Sequence, residues 1–539
     1  MTKRIGFWID TNEVNQYLRA TLETLEANNN LDLFILFTTK KHNPYRRYLT
    51  FSRTLLFSLL SLAERALIFS IKNQSFETDR HRSIDTIVPP SRLIEITDSP
   101  LNHQQTSRPC TTIKLVPDLR LDLIVSCGTV FDMEQLPPDG IISYSPNRYL
   151  NYLVSAFWPV HLQSPSTEFV IRMRQQTFST AKIVQRCRIP TAKYFSENID
   201  NLIKNQNSYI TDLIERYCTH GRLPVPMNEK FQAEEANAVP TISAFAAYFA
   251  KTIVGSAFDK VSRTLLRKRQ RWNVAYCYDS WVNADFKRGR VIENPKNGFF
   301  ADPFVITKND RTVCYVEDYC YLREKGSITA IEIETGGKYK ILGTVIEEKF
   351  HLSFPYLFTY KDDLFMVPET SQTGSVRLYK CTEFPMNWRY EKDILCNIST
   401  SDTILFPHGQ YWWLLTNPAF EGSDDHCTQL CAYYSENPTS DRWVEHKRNP
   451  LIVDSNISRN GGLLSCGKQL IRVRQKQGFC LYGASMTLAT IDELTPDSFS
   501  ETEFDSISAD FFSNILGCHS LNSTDDIAVY DFLTIEKPY

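Results

Sequence analysis

The chain has 539 residues, 22% of them charged and 42% hydrophobic, with a formal net charge of −3. That length exceeds one ordinary core and predicts two or three domains. The composition is an ordinary globular mixture, and the near-neutral balance argues against a general nucleic-acid binder, which would be basic.

The 14 cysteines are scattered singly, with no C-x-x-C pair and no Cys/His cluster at zinc spacing, so no metal site is expected. The start, MTKRIGFWIDTNEV, has a basic beginning but no long apolar run before Asp10. It does not read as a secretory signal, and a cytoplasmic protein with free thiols is the expectation.

In chain order, RIGFWID (4–10) reads as a strand, EVNQYLRATLETLEA (13–27) as a helix and LDLFILF (31–37) as a second strand. The most apolar stretch is YLTFSRTLLFSLLSLAERALIFSI (48–71). Arg53, Glu64 and Arg65 interrupt it, so no run reaches the roughly 18–20 residues a spanning helix needs. A buried or amphipathic helix is expected, with a membrane-surface helix as the alternative. LDLIVSCGT (121–129) and DGIISYSP (139–146) read as further strands. Strand–helix–strand with continuous apolar strands predicts a parallel α/β sheet buried on both faces, assigned to 1–205. Residues 206–268 read as a helical connector, with one long helix over 241–272.

From 269 to 539 the texture is all-β. Short strands such as TVCYVED, LFMVPE and YWWLLT alternate with turn clusters. ADPFVI (301–306), SFPYLF (353–358), SDTILF (401–406) and SRNGGLL (458–464) recur at a spacing of about fifty residues, a propeller-blade period. With RWNVAYCY and the late strand DDIAVYDFLTI (525–535) sharing a blade, the count is five, so a five-bladed β-propeller is expected.

The first strand of a propeller blade lines the central channel. That answers why ADPFVI carries an Asp and a Pro, residues a strand interior disfavours. Asp302 is expected at the channel mouth and Pro303 where the strand begins. Glu317, His351, Glu369, Asp402, Arg459, Arg474 and Gln475 fall at comparable blade positions. Paired carboxylates suit acid/base work on a glycosidic bond, and Arg suits a ligand carboxylate or phosphate.

FFADPF, YVE, HLSFPYLF, MVPE, LYKCTEFPMNW, DTILF, WWLL, RNGG, RVRQ and YG occur in an order that resembles one known family. It is the β-propeller domain at the N-terminus of plant glucosamine inositolphosphorylceramide transferase, also found in many bacterial proteins. The resemblance covers about 270–535, including GCHSLN and VYDF. That propeller is in turn similar to glycoside hydrolase families 43 and 32, whose catalytic set is two Asp and a Glu. This implies Asp302 as the first carboxylate, Glu369 as the acid and Asp402 as the third catalytic candidate. Glu317, His351, Arg459, Arg474, Gln475 and His519 are then candidate substrate-binding residues. The fold likeness alone implies no hydrolysis, and the plant protein's glycosyltransferase module lies beyond its propeller.

The N-terminal region resembles the formyltransferase fold of methionyl-tRNA and sugar-nucleotide formyltransferases, through LDLIVSCGTVFDMEQLPPDGIISYSPNRY (121–149) and FVIRMRQQTFSTAKIVQRCRIP (169–190). Working members carry Asn-x-His and a later Asp. Here Ser143 and Ser145 replace Asn and His, and Ser179 and Thr180 stand in place of the Asp. A serine cannot replace imidazole as a base near neutral pH, so formyl transfer and folate are not expected. Asp10 and Glu13 follow the first strand and read as helix caps, with service to a different ligand as the alternative.

The expectation is a carbohydrate-active protein in cell-surface polysaccharide or glycolipid biosynthesis, transferring or processing a sugar without an evident cofactor. Its partners would be a sugar, sugar nucleotide or glycolipid head group, with a glycosyltransferase partner and a peripheral membrane contact as further candidates and no nucleic acid. The alternatives are a non-catalytic sugar-binding scaffold and a formyltransferase acting on an amino sugar.

Overall fold

The computed structural model describes residues 2–9, 13–37, 51–72, 81–95, 112–113, 119–127, 132–133, 136–146, 152–177, 180–225, 227, 240–255, 269–420, 423 and 425–536. Asp10 and Ser179 lie outside them. The chain divides into two compact units, Met1–Ser256 with Phe420–Ser423, and Ala257–Ala419 with Asp424–Tyr539.

Unit 1 is built on a seven-stranded sheet. Its order is Lys182–Pro190, Ser166–Arg174, Ile141–Pro146, Leu123–Cys127, Lys3–Ile9, Leu31–Phe37, Leu93–Glu95. The last five of these are parallel, and the first two add antiparallel. Ile5, Phe7, Trp8 and Ile9 are all buried, as are Leu33 to Leu36 in the neighbouring strand. Such unbroken burial requires cover on both faces, which is why these strands read as continuous apolar runs.

The predicted helix over 13–27 spans Gln16–Glu26, and its N-cap is Asn15, whose side chain accepts from the Leu18 amide at 2.9 Å. Glu13 is not the cap; it belongs to a short strand, Glu13–Asn15. The helix Phe195–His220 runs across position 205, so a boundary there falls inside it. It lacks a side-chain cap of its own. The Glu64 carboxylate, buried on the helix Phe51–Lys72, accepts from the Ser196 amide at 2.7 Å and the Phe195 amide at 3.3 Å. A carboxylate at a helix N-terminus satisfies orphan amides and meets the positive end of the dipole. The single helix expected over 241–272 is instead a helix, Ile242–Tyr248, a π-helical turn, Phe249–Val254, and a strand starting at Arg269, with 256–268 outside the described residues.

Unit 2 is a five-bladed β-propeller. Four sheets follow in chain order, opened by Gly298–Lys308, Ser353–Tyr360, Thr400–His408 and Asn460–Cys466. The fifth combines the two ends of the unit. Ala528–Glu536 pairs antiparallel with Arg269–Cys277, and Leu521–Ser523 lies on its other side. The opening strands neighbour one another in turn, and Leu521–Ser523 touches both Asn460–Cys466 and Gly298–Lys308, which closes the ring.

The opening strands share an irregularity. The ladder shifts register between Ala301 and Phe304, Ser353 and Tyr356, Ser401 and Ile404, and Asn460 and Gly462. Within three of these bulges Asp302, Phe354 and Asp402 take φ of 48, 46 and 47°. Pro303 therefore does not begin its strand, which starts at Gly298 and passes through the bulge. A bulge leaves one residue unpaired and re-aims its side chain, which is how a strand tolerates Asp-Pro.

Candidate functional site

The bulges deliver side chains to one buried cluster. Asp302 is 6% exposed and Asp402 2%. Opposite the first two bulges the second strands place Glu317 across from Ala301 and Glu369 across from Ser353. Asp531, fully buried, comes from the closing strand. Asp302, Glu369, Asp402 and Asp531 all act electrostatically on Glu317, so the five carboxylates form one group.

Asp302 is held on every side. Its Oδ1 accepts from Ser520 Oγ at 2.8 Å and lies 3.3 Å from His519 Nε2, while Oδ2 accepts from the Phe354 amide at 3.2 Å. His519 Nδ1 lies 2.7 Å from Asp531 Oδ2. Asp531 also accepts from the amides of His519, Ser520 and Asp302 at 2.9, 3.0 and 3.2 Å. Burial opposes charge on His519, yet the two flanking carboxylates raise its pKa above the ordinary histidine value. Ligand-capable atoms of Asp302, His519 and Asp531 lie within 4.8 Å of one another, a spacing a cation could use. Both imidazole nitrogens face carboxylate oxygens.

Arg459 joins the other two carboxylates. Its Nε donates to Asp402 Oδ2 at 2.6 Å, and Nη2 lies 3.6 Å from Glu369 Oε2. Gln475 Nε2 adds a second bond to Asp402 Oδ2 at 2.8 Å. Burial raises the Glu369 carboxyl, but Arg459, His351 and His426 outweigh it and hold the group below its ordinary value. Burial dominates at Asp402 and pushes it upward despite Arg459.

Glu317 is different. Among the described residues its one ion-pair neighbour is His351, with Nε2 at 3.5 Å from Oε1. Burial and the surrounding carboxylates push its pKa well above the ordinary glutamate value. The His351 Nδ1 accepts from the Gly326 amide at 2.8 Å, which leaves the proton of the neutral ring on Nε2, facing Glu317. Burial lowers the His351 pKa.

Aromatic rings flank the cluster. Trp272 lies over His519 with centroids 4.0 Å apart, and Arg459 sits 5.0 Å above the Tyr482 ring. Tyr482 meets His519 edge-on at 5.2 Å. Gly483, at φ 65°, allows this: a Cβ there would lie 2.8 Å from His519 Cβ and 3.0 Å from Trp272. Gly462, at φ 139°, lets its strand approach the chain end; its Cβ would stand 2.3 Å from the Leu521 carbonyl oxygen.

Eight of the nine residues singled out from sequence come together here: Asp302, Glu317, His351, Glu369, Asp402, Arg459, Gln475 and His519. Arg474 does not. It donates to Thr487 Oγ1 at 2.9 Å and Glu501 Oε1 at 3.0 Å and also pairs with Glu503, tying its strand to the outer strands of the blade. Successive strand residues face opposite sides, so Gln475 and Arg474 cannot both meet Asp402. Asp531, Ser520, Trp272 and Tyr482 were not singled out. The signal for Asp531 was a carboxylate inside the apolar strand AVYDFLTI, a position that burial permits only with several donors. In unit 1, Ser143 is 3% exposed on the strand Ile141–Pro146, paired with Ser126 and Arg172.

Residues 290–513 match the family described as glucosamine inositolphosphorylceramide transferase 1, N-terminal. The resemblance read from motif order holds over this region. Among curated proteins, glucosamine inositolphosphorylceramide transferase 1 of Arabidopsis thaliana is 33% identical over 214 residues, covering 39% of this chain and 27% of that protein. Its namesake in Oryza sativa subsp. japonica is 30% identical over 210 residues, covering 38% and 28%. The chain thus spans little more than a quarter of the length of these relatives. Among solved structures, a family 117 glycoside hydrolase from the marine bacterium Zobellia galactanivorans aligns with a TM-score of 0.32 and 11% identity, covering 49% of this chain and 90% of that one. The blade count rests on the strand pairing and not on that likeness.

Proposed function

We propose that the propeller is a carbohydrate-active module of cytoplasmic cell-surface polysaccharide or glycolipid biosynthesis, and that its carboxylate cluster takes a sugar, sugar nucleotide or glycolipid head group. The observation that carries this reading is the divergence of the carboxylates. Burial and the neighbouring carboxylates push the Glu317 carboxyl well above its ordinary value, while Arg459 holds Glu369 below its own. Environments that push two carboxyl groups apart provide an acid and a charge stabiliser in one site, as chemistry at a glycosidic bond requires. In this reading Glu317 protonates the departing oxygen, Glu369 as carboxylate faces the positive charge that develops on the sugar, and an acceptor hydroxyl or water forms the new bond to the anomeric carbon and releases its proton. Asp302, locked by Ser520, His519 and the Phe354 amide, positions the ligand. Trp272 and Tyr482 offer ring faces to sugar C–H groups. This moves the acid from Glu369, where the family resemblance put it, because a carboxyl beside Arg459 holds its proton poorly. The names of the curated relatives support a sugar as the ligand class.

A second reading, a sugar-binding scaffold, is favoured by the oxygens of Asp302 and Asp402, which protein donors already occupy. For unit 1 we take the sheet as formyltransferase-like without formyl transfer, since Ser143 offers no base.

The test incubates the full chain with a panel of sugar nucleotides and glycosides, reading turnover and melting shift together in wild type, Glu317→Gln and Glu369→Gln. Turnover abolished in Glu317→Gln with its melting shift retained supports the acid assignment. A shift without turnover in the wild type transfers support to the scaffold. No shift and no turnover removes the ligand site.

A further inference from the structure

The helix Phe51–Lys72 buries Phe57, Leu60, Glu64 and Ile68. Its opposite face presents Leu55, Leu59, Leu62, Ala66 and Phe69, and Leu62 and Phe69 are 68% and 60% exposed. These positions fall at i, i+4, i+7, i+11 and i+14, one continuous stripe. Beside this helix lies the segment Ile242–Tyr248 with its π-helical turn, Phe249–Val254. The rings of Phe57 and Phe245 are 4.9 Å apart, and the Tyr248 hydroxyl donates to Glu64. This second element also turns apolar residues outward: Ile242, Ala246, Phe249 and Val254. Among the described exposed residues of both elements, Lys251 is the only charged one.

A helix at the surface of a soluble unit ordinarily shows a charged outer face. Two adjoining helices without one mark an interaction surface. The chain before the first element and after the second indicates the partner. Residues 38–53 carry Lys40, Lys41, Arg46, Arg47 and Arg53 and no acidic residue. Residues 256–268 carry Lys260, Arg263, Arg267 and Lys268 against Asp259 alone. The other two flanks, 73–80 and 228–241, are not basic, but an apolar face with a basic stretch entering its first helix and another leaving its second is a pattern of helices that lie in a membrane interface and attract anionic lipid. A second copy of this chain would bring the same cationic stretches together, which disfavours self-association. No described helix is long and apolar enough to cross a membrane, so the contact is peripheral.

We propose that Phe51–Lys72 and Ile242–Val254 form a docking face for an anionic lipid surface. The inference rests on unit 1 and stands whether or not the reading of the propeller holds.

The test is flotation of the full chain with vesicles of phosphatidylcholine alone and of phosphatidylcholine mixed with phosphatidylglycerol. Binding is expected to the mixed vesicles, weakening as salt is added. Two variants, Leu59→Asp with Leu62→Asp, and Phe249→Asp, are expected to lower partitioning about tenfold or more. Their melting temperatures should match the wild type, because the substituted side chains are exposed. Failure to bind either vesicle, or partitioning unchanged in both variants, overturns the proposal. A doubled mass in light scattering that the same variants abolish also overturns it, by making the face a contact between copies.

Discussion

Glu317 and Glu369 stand at matching positions of successive blades, and their pKa values shift in opposite directions. Glu317 has the His351 imidazole as its one ion-pair neighbour among the described residues, and burial with the surrounding carboxylates raises its pKa. The folded state therefore keeps a proton that the unfolded state releases, and stability falls as pH rises above the ordinary glutamate value. Glu369, lowered by Arg459 against its burial, contributes stability above that value and loses it as pH falls through the folded pKa. Glu317→Gln should raise the melting temperature at neutral pH and flatten its decline above about pH 4.5. Thermal melts across pH decide this. A lower neutral melting temperature would mean that Glu317 is ionised and paired, and the acid assignment would go with it.

At the scale of the element, the strand Gln469–Gly478 separates two duties by its alternation. Arg472 and Arg474 face the outer strands and share Glu501, whereas Gln475 faces Asp402. Removing one partner of a buried ion pair leaves the other unpaired and costs about 3 kcal/mol or more. Arg474→Gln should therefore destabilise by about that amount while ligand dissociation constants stay unchanged. Gln475→Ala should do the reverse, weakening the ligand with a smaller loss of stability. Urea titration paired with ligand binding separates the two. Weakened binding in Arg474→Gln at full occupancy of the fold would return that residue to the site. The blade period and the alternating strands were legible because each strand carries its own pattern of burial. Which of two adjacent polar residues faces the axis was not, because a bulge of one residue in an opening strand shifts the register and reverses the faces.

For the molecule as a whole, propeller closure depends on the last strand. Ala528–Glu536 completes the blade begun by Arg269–Cys277 and brings Asp531 to His519. Truncation after Ser523 should remove both the closing ladder and the anchor of the carboxylate cluster. The expected outcome is loss of the cooperative unfolding transition of unit 2, followed by near-ultraviolet circular dichroism. A truncated chain that kept that transition would show that the ring closes without its final strand. Four of the five parallel strands of unit 1 were legible as continuous apolar runs, and the short Leu93–Glu95 was not. The unit's antiparallel pair, Ser166–Arg174 with Lys182–Pro190, was not, since a buried edge strand reads like a parallel one.

The sequence by itself determined the propeller and its blade spacing, because strand burial repeats with a period that local pattern exposes. Of the nine polar residues it nominated, eight meet in the cluster, since charged groups at the blade openings need a reason to be there. Only the tertiary structure decided how they are shared. Asp531 arrives from the far end of the chain, Arg459 bridges carboxylates of two other blades, and burial among the other carboxylates raises the Glu317 pKa. Protonation in a buried cluster depends on distances between segments far apart in sequence, and no local pattern carries those distances.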